Sequence, residues 1–176
     1  AFENLPTDQV IILPNNKNII LTAENAKNLS VKNVRVVDSV NIPQGLSALL
    51  RLDPDGDLDE IHKEMISALD EVDAGEITNA TRTVKIDGIA VKSGQFIGLL
   101  NGKLVVSGNN ASEATLALLA KAEITSKERV TLFTGNNISS DEVNLICEVI
   151  KKQYPNHEVE VHEGGQPHYQ FLISLE

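Results

Sequence analysis

A chain of 176 residues with 41% hydrophobic residues can bury a substantial core, in one large domain or two small ones. Its net charge of −10 argues against nucleic acid as a partner, because neutralising phosphates requires a basic face. Its single cysteine, Cys147, excludes an internal disulfide and a zinc site of several thiolates, and is typical of a reducing cytoplasm.

Neither a membrane span nor a secretion signal is apparent. No apolar run approaches the ~20 residues that cross a bilayer, and residues 1–10 lack a basic and then apolar segment. We therefore expect a soluble, cytoplasmic protein with no transmembrane segment. Residues 1–5 have the pattern of the end of a helix, so we also expect the chain to be part of a longer protein.

The first forty residues have the pattern of a parallel βαβ unit. Short apolar runs predict strands at 10–13 and 34–37, and the spacing between them predicts a helix at 22–29. A short helix is expected at 46–50, preceded by Ile42-Pro43-Gln44-Gly45. Polar residues at the carboxyl ends of parallel strands often bind ligands, so Asn15, Asn16 and Gln44 are candidates for a ligand site or for bracing their loops.

Acidic residues are concentrated between Asp53 and Glu76: these 24 residues include ten acids and a single basic residue, Lys63. Asp57 begins a predicted amphipathic helix with its apolar residues on one face and its acids on the other. This acidic face is either simply solvated or attracts a protein with a basic surface. The predicted partner-binding residues are Asp59, Glu60, Glu64, Asp70 and Glu71.

From Glu76 the apolar period changes from helical to two, which we interpret as a domain boundary. Four strands are predicted at 81–86, 89–92, 95–100 and 103–107, joined at Asp87-Gly88, Ser93-Gly94 and Asn101-Gly102 as an antiparallel meander. Beyond the meander the pattern predicts a helix at 111–122, a strand at 129–134, a helix at 139–152 and two final strands.

The two final strands flank a polar loop, Glu163 to His168, that contains Gly164, Gly165, Gln166 and His168. The glycines can adopt positive φ, and the amide and imidazole could bind a ligand or line an interface, so the loop is a candidate ligand site or a structural turn. It leads into a strand, and the chain has neither G-x-x-x-x-G-K-[ST] nor G-x-G-x-x-G. No catalytic residue, metal site or cofactor is therefore predicted.

Four blocks of sequence resemble one known family. They are ILPNNKNIILTAENA from Ile12, IPQGLSALL from Ile42, DGIAVKSGQFIGLLNGKLVVSG from Asp87 and VEVHEGGQPHYQFLISLE from Val159. In this order they are similar to the C-terminal region of FakA, the dihydroxyacetone-kinase-like component of bacterial fatty acid kinases (YloV-type). The second half also resembles a domain of DegV-like carrier proteins.

The resemblance implies an α/β fold similar to the DegV-like fold: a partial parallel α/β segment with the acidic helix (1–75), then an α/β domain with an antiparallel meander (76–176). It implies that ATP and magnesium belong to a separate kinase domain, with kinase and middle domains in the same chain. The implied function is non-catalytic: docking of FakB, the carrier that presents a fatty acid for phosphorylation, as part of phospholipid metabolism.

Two other functions stay open at this point. Asn15, Asn16, Gln44 and the polar loop could form a pocket for a fatty acid or another carboxylate, or the chain could be a dimerisation domain.

Overall fold

In the computed structural model, which describes residues 2–86 and 88–176, a βαβ unit follows a short 3-10 turn at Phe2–Asn4. The unit consists of strand β1 (Gln9–Ile12), helix α1 (Lys17–Leu29) and strand β2 (Asn33–Val36). The two strands are parallel, which confirms the prediction. Ala1 and Asp87, which belong to the predicted N-terminal helix end and to the predicted Asp87-Gly88 turn, lie outside the described residues.

Helix α1 begins five residues before the predicted start at Thr22. The side chain of Asn16 accepts a hydrogen bond from the backbone N–H of Asn18 at 2.9 Å, and this bond satisfies a helix end that the apolar pattern does not mark. Asn16 therefore has a capping role at the amino end of α1.

Two further helices complete the first part of the chain: α2 (Ile42–Leu49) and α3 (Leu58–Ser67), the latter continued by a 3-10 turn at Ala68–Asp70. Asp57 caps α3 by accepting from the N–H groups of Asp59 and Glu60. The buried core here consists of Val37, Ala48, Ile61, Met65 and Leu69. The described residues up to Val72 form one compact unit, and Asp73–Glu176 form a second. The predicted boundary at residues 75/76 falls inside the first strand of the second unit.

The second unit is built on a six-stranded sheet in the order β7-β6-β3-β10-β8-β9. Its elements are β3 (Asp73–Asn79), β4 (Val84–Ile86), β5 (Ile89–Val91), β6 (Phe96–Leu100), β7 (Lys103–Gly108), α4 (Ala111–Lys121), β8 (Arg129–Thr134), α5 (Ser140–Gln153), β9 (Glu158–Glu163) and β10 (Tyr169–Leu175). The β8–β9 pair is parallel and the other pairs in this sheet are antiparallel.

Four consecutive meander strands were predicted for residues 81–107, and this pairing is corrected. The antiparallel meander consists of β3, β6 and β7, while β4 and β5 pair only with each other in a separate hairpin. Ala80 and Gln95 close the base of this hairpin through an N–H to carbonyl bond of 2.8 Å, and Gly94 donates back to Ala80 at 2.7 Å. The Ser93-Gly94 turn therefore returns the chain to β3 and does not pair β5 with β6.

A single large core fills the second unit between the sheet and helices α4 and α5. The fully buried side chains include Ile77, Leu118, Leu132, Ile146 and Phe171. Both helices begin within a residue of their predicted starts, and Asn110 and Ser139 cap them by accepting from the backbone N–H groups of Glu113 and Glu142. None of the helices in the described ranges has the length and apolar character needed to span a bilayer.

Candidate functional site

The predicted partner-binding acids lie on the exposed side of α3 and the turn that follows it, and we call Asp59, Glu60, Glu64, Asp70 and Glu71 the acidic surface. Leu58, Ile61 and Met65 are buried on one face of helix α3. Their spacing of three and four residues leaves the acids on the opposite face, as the amphipathic pattern predicts.

Two members of the acidic surface are neutralised within the first unit. Asp59 accepts from Arg35 of β2 at 2.6 Å, and Glu71 accepts from Arg51 at 2.6 Å. Glu60, Glu64 and Asp70 are exposed, and within the described part of the chain no ion pair involves them. Within the acidic surface, the charge that is not neutralised therefore lies on these three carboxylates.

Two other acids of the same stretch, Asp73 and Glu76, are part of the sheet of the second unit and are partly buried. Asp73, at the start of β3, accepts from Lys127 at 2.6 Å and from Asn101 at 2.7 Å. Burial alone would raise the pKa of Asp73, but these hydrogen bonds and the charge of Lys127 lower it below its ordinary value. Burial raises the pKa of Glu76, which lies partly buried in β3.

Asn15 forms a corner at the carboxyl edge of β1 and β2. Its backbone has a φ of +52°, its N–H donates to the hydroxyl of Ser39 at 3.1 Å, and that hydroxyl donates to its Oδ1 at 2.7 Å. Ser39 is fully buried. A Cβ on Gly45 would overlap the Asn15 side chain. Helix α2 can approach this corner closely only because residue 45 is glycine.

Gln44 lies next to this corner, but its side chain is used within the fold. Its Oε1 accepts from the N–H of Val40 at 2.9 Å and its Nε2 donates to the carbonyl of Leu69 at 3.2 Å. The structure thus brings Asn15 close to the start of α2, but Asn15 is bonded to Ser39 and the Gln44 side chain is bonded to the backbone.

The polar loop between β9 and β10 is fixed against the end of β8. The carbonyl of Thr134 accepts from Gly164 at 3.0 Å and from Gly165 at 2.9 Å, and Gln166 Nε2 donates to the carbonyl of Phe133 at 2.8 Å. Gly165 and His168 adopt positive φ, of +64° and +71°. The carbonyl of His168 accepts from Thr78 at 2.6 Å while its imidazole is exposed.

A cavity of about 380 Å³ lies beside this loop, at the carboxyl ends of the parallel strands β8 and β9 and the amino end of α5. Its apolar wall includes Ile138, Val143 and Val161, and its polar groups include Asn136 and Glu163. Of the residues that line the cavity, only Glu163 and Gly165 belong to the polar loop that the sequence indicated as a candidate site. The available signal was the succession of strand, loop and helix at 129–152, which places a crevice where parallel strands end.

The charges around this cavity disfavour an anionic ligand. Glu163 lines it, and Asp141 and Glu142 occupy the first turn of α5. These carboxylates offset the partial positive charge of the helix end. A neutral ligand fits this environment better than a carboxylate.

Groups capable of covalent or metal chemistry are sparse. Burial raises the pKa of the Cys147 thiol, although the nearby Lys151 opposes this, so the reactive thiolate is suppressed at neutral pH. Over residues 2–86 and 88–176, no three His, Cys, Asp or Glu side chains come together as a metal-binding set. The two glycines at 164 and 165 precede β10, so they offer no helix end to a nucleotide phosphate.

The fold is similar to that of DegV family proteins. A DegV family protein from Eubacterium eligens, solved with heptadecanoic acid, matches 97% of this chain and 73% of its own with a TM-score of 0.69 and 15% identity. The fatty acid kinase B3 protein of Streptococcus pneumoniae, solved with linoleic acid, matches 99% of this chain and 73% of its own with a TM-score of 0.66 and 14% identity. The predicted DegV-like α/β fold is thus confirmed.

The sequence identifies the family to which the chain belongs. The model of the FakA-like C-terminal family of fatty acid kinase proteins matches residues 1–176, and the chain belongs to this family. It is 40% identical over 176 residues to an uncharacterized protein of Staphylococcus epidermidis and 35% identical to protein YloV of Bacillus subtilis. The match covers all of this chain but 32% of either relative, so the chain spans about a third of their length.

Proposed function

We propose that this chain is a docking domain that recognises a fatty-acid-loaded carrier protein of the FakB type, so that a kinase domain elsewhere in the longer protein can phosphorylate the acid. The observation that carries the proposal is the acidic surface, with Glu60, Glu64 and Asp70 exposed and outside the ion pairs described above. Membership of the FakA-like C-terminal family supports it.

The charges give the docking a defined physical character. Exposed carboxylates steer a basic partner into encounter and contribute about 0.2–1 kcal/mol for each exposed ion pair they form. Binding through this surface therefore weakens as salt is added, because the Debye length falls from about 30 Å at 0.01 M to about 8 Å at 0.15 M ionic strength.

In this proposal ATP and magnesium bind to the separate kinase domain and not to this chain. The chain contains no glycine-rich loop that opens a helix, and the described residues include no acidic metal set. Phosphoryl transfer needs positioned cations around the phosphates, so the chain alone is expected not to hydrolyse ATP.

Calorimetric titration of this chain with a fatty-acid-loaded FakB-type carrier tests the proposal. We expect saturable binding at about 0.01 M salt that weakens at least tenfold by about 0.15 M salt. The same carrier without fatty acid shows whether the loaded form is preferred. No heat of binding at either salt concentration would rule out the docking function.

A second function is favoured by the cavity beside the loop and by the fold, since the solved proteins from Eubacterium eligens and Streptococcus pneumoniae carry fatty acids. The chain would then be a small-ligand module. Native mass spectrometry of the purified chain distinguishes the two functions, because a co-purified lipid supports the ligand module. The carboxylates around the cavity lead us to expect no bound fatty acid.

A further inference from the structure

In helix α2 the small side chains are buried and the large aliphatic side chains are exposed. Its buried residues are small or cyclic: Pro43, Gly45 and Ala48. Its large aliphatic residues point outward and keep between 38% and 80% of their surface exposed in the chain as a whole: Ile42, Leu46, Leu49 and, at the C-cap, Leu50. At 100° per residue these four side chains fall within an arc of about 100°, which we call the α2 stripe.

The inner face of α2 is held without help from the stripe. Gly45 approaches the Asn15 corner, Gln44 donates to the carbonyl of Leu69, and Ser47 donates to the carbonyl of Ala68 at 3.1 Å. Within the stripe, Leu50 is 80% exposed and contributes little to folding, whereas Leu46 is 38% exposed and partly buried. Four clustered, exposed aliphatic side chains on one helix face are typical of a surface that a partner covers.

The stripe is bordered by the acidic residues of the same unit. Arg51, which follows Leu50, pairs with Glu71, and Asp70 lies beside Glu71 in the chain. Asp53 and Asp55, both exposed, follow the end of α2. An apolar centre with a charged rim is the usual anatomy of a protein–protein interface, in which the centre supplies most of the affinity.

We infer that the α2 stripe is the apolar centre of the docking surface, and that its occupant is an apolar patch, ringed by lysine or arginine side chains, on the carrier protein. The charge of the rim selects this occupant, because a second copy of the chain would bring the same carboxylates against each other. The inference rests on the proposed function. On this inference the acidic residues raise the association rate, and the α2 stripe lowers the dissociation rate.

The test is the double variant Leu46→Ser/Leu50→Ser, titrated with the loaded carrier at two salt concentrations. We expect binding at least about tenfold weaker than that of the unaltered chain, through faster dissociation. The dependence on salt should stay unchanged, because no charge is removed. The matched control is Leu21→Ser/Leu29→Ser, which removes two exposed leucines from α1 and should change affinity less than about twofold.

Thermal unfolding followed by circular dichroism separates misfolding from lost contacts. Both double variants should melt within a few degrees of the unaltered chain, because exposed Leu to Ser changes cost little stability. If Leu46→Ser/Leu50→Ser has a much lower melting temperature, a second variant is needed. Leu46→Met/Leu50→Met keeps an apolar surface, and the inference requires that this variant has the melting temperature and the carrier affinity of the unaltered chain.

Three results would overturn the inference. If the unaltered chain binds the carrier and the α2 variant binds within twofold of it, the inference fails while the docking function stands. If the unaltered chain does not bind, both fail. If light scattering shows a dimer that the α2 variant converts to monomer, the occupant is a second copy and not the carrier.

Discussion

Asp73 illustrates how one residue of an acidic stretch is used for structure. It lies at the start of β3 and accepts hydrogen bonds from Lys127 and Asn101. Nothing in the local sequence indicates these contacts, because the partners are 54 and 28 positions away in the chain. An acid run in a sequence therefore predicts a charged surface, but the fold decides which of its members are free.

Replacing Asp73 with asparagine should destabilise the chain at neutral pH. The ionised carboxylate has a folded-state pKa below its ordinary value of 3.8, so its contribution is present above that pH and is lost as the pH falls through the folded-state pKa. Because Asp73 is about a third exposed, we expect a loss of only about 0.5–1 kcal/mol at pH 7.

Urea unfolding of Asp73→Asn and the unaltered chain, followed by circular dichroism between pH 7 and pH 3, measures this difference. The two curves should converge below about pH 3.8. The control is Asp55→Asn, an exposed acid whose replacement should change stability by less than ~0.5 kcal/mol. A stability difference for Asp73→Asn that grows as the pH falls would contradict the assigned direction of the pKa.

Gly135, between β8 and the cavity, is the residue whose replacement the structure tolerates least in this region. A Cβ there would overlap the carbonyl oxygen of Tyr169 and come within 2.9 Å of the carbonyl oxygen of Gln166. Both are backbone atoms, so neither can move without disturbing the loop between β9 and β10.

Gly135→Ala should therefore lower the free energy of unfolding by about 1–3 kcal/mol, as overpacking does in well-packed sites. Chemical denaturation measures it, with Gly56→Ala as the control. The atoms nearest to a Cβ at Gly56 belong to the side chains of Asp53 and Ile61, at 3.3 Å, and a small shift of these side chains would accommodate it, so that change should cost less than Gly135→Ala. Equal stability of the two variants would show that the loop is not fixed against the end of β8.

At the scale of elements, strand position in the sheet decides the cost of losing a side chain. Strand β10 lies between β3 and β8 in the middle of the sheet, and Ile173 is fully buried. Strand β9 is at the edge, and Val161 is 43% exposed.

We expect Ile173→Ala to cost about 2–5 kcal/mol because it opens a cavity against α4, whereas Val161→Ala should cost less than about 1 kcal/mol. Guanidinium unfolding of the two variants gives the comparison. Similar losses at both positions would mean that the edge strand is covered in solution.

Local signals in the sequence were sufficient for the elements that carry their own boundaries. Helices α4 and α5 were predicted within a residue or two because Asn110 and Ser139 mark their starts. Strand β8 was predicted because its sequence, RVTLFT, is rich in apolar and β-branched residues. The start of α1 was predicted too late because Asn16 was weighed as a ligand or a loop brace and not as a cap.

Strand β3 was missed for a tertiary reason. Its sequence, DAGEITN, has little apolar alternation, although it lies centrally in the sheet. Gly75 is small because α4 packs directly over it: a Cβ on Gly75 would lie 3.0 Å from Leu118 and 3.1 Å from Ile173. The space is filled by side chains from distant segments, and no window of local sequence contains that information.

At the scale of the molecule, the family was accessible from sequence because four blocks resemble it in the same order. The order of elements in the second half indicated the DegV-like fold, which the fold comparisons confirm. The candidate site was accessible only in part. Composition predicted an acidic face, but the ion pairs of Asp59 and Glu71 and the outward face of α2 depend on how the helices pack.

The central claim is that the acidic surface of the first unit recognises the carrier. The most direct measurement is the carrier affinity of Glu60→Lys/Glu64→Lys compared with Glu128→Lys/Glu148→Lys, which makes the same change in net charge at exposed acids of the second unit. The account predicts a loss of about tenfold or more and a smaller salt dependence for the first variant, and little change for the second. Equal losses would contradict it, because they would show that only net charge matters.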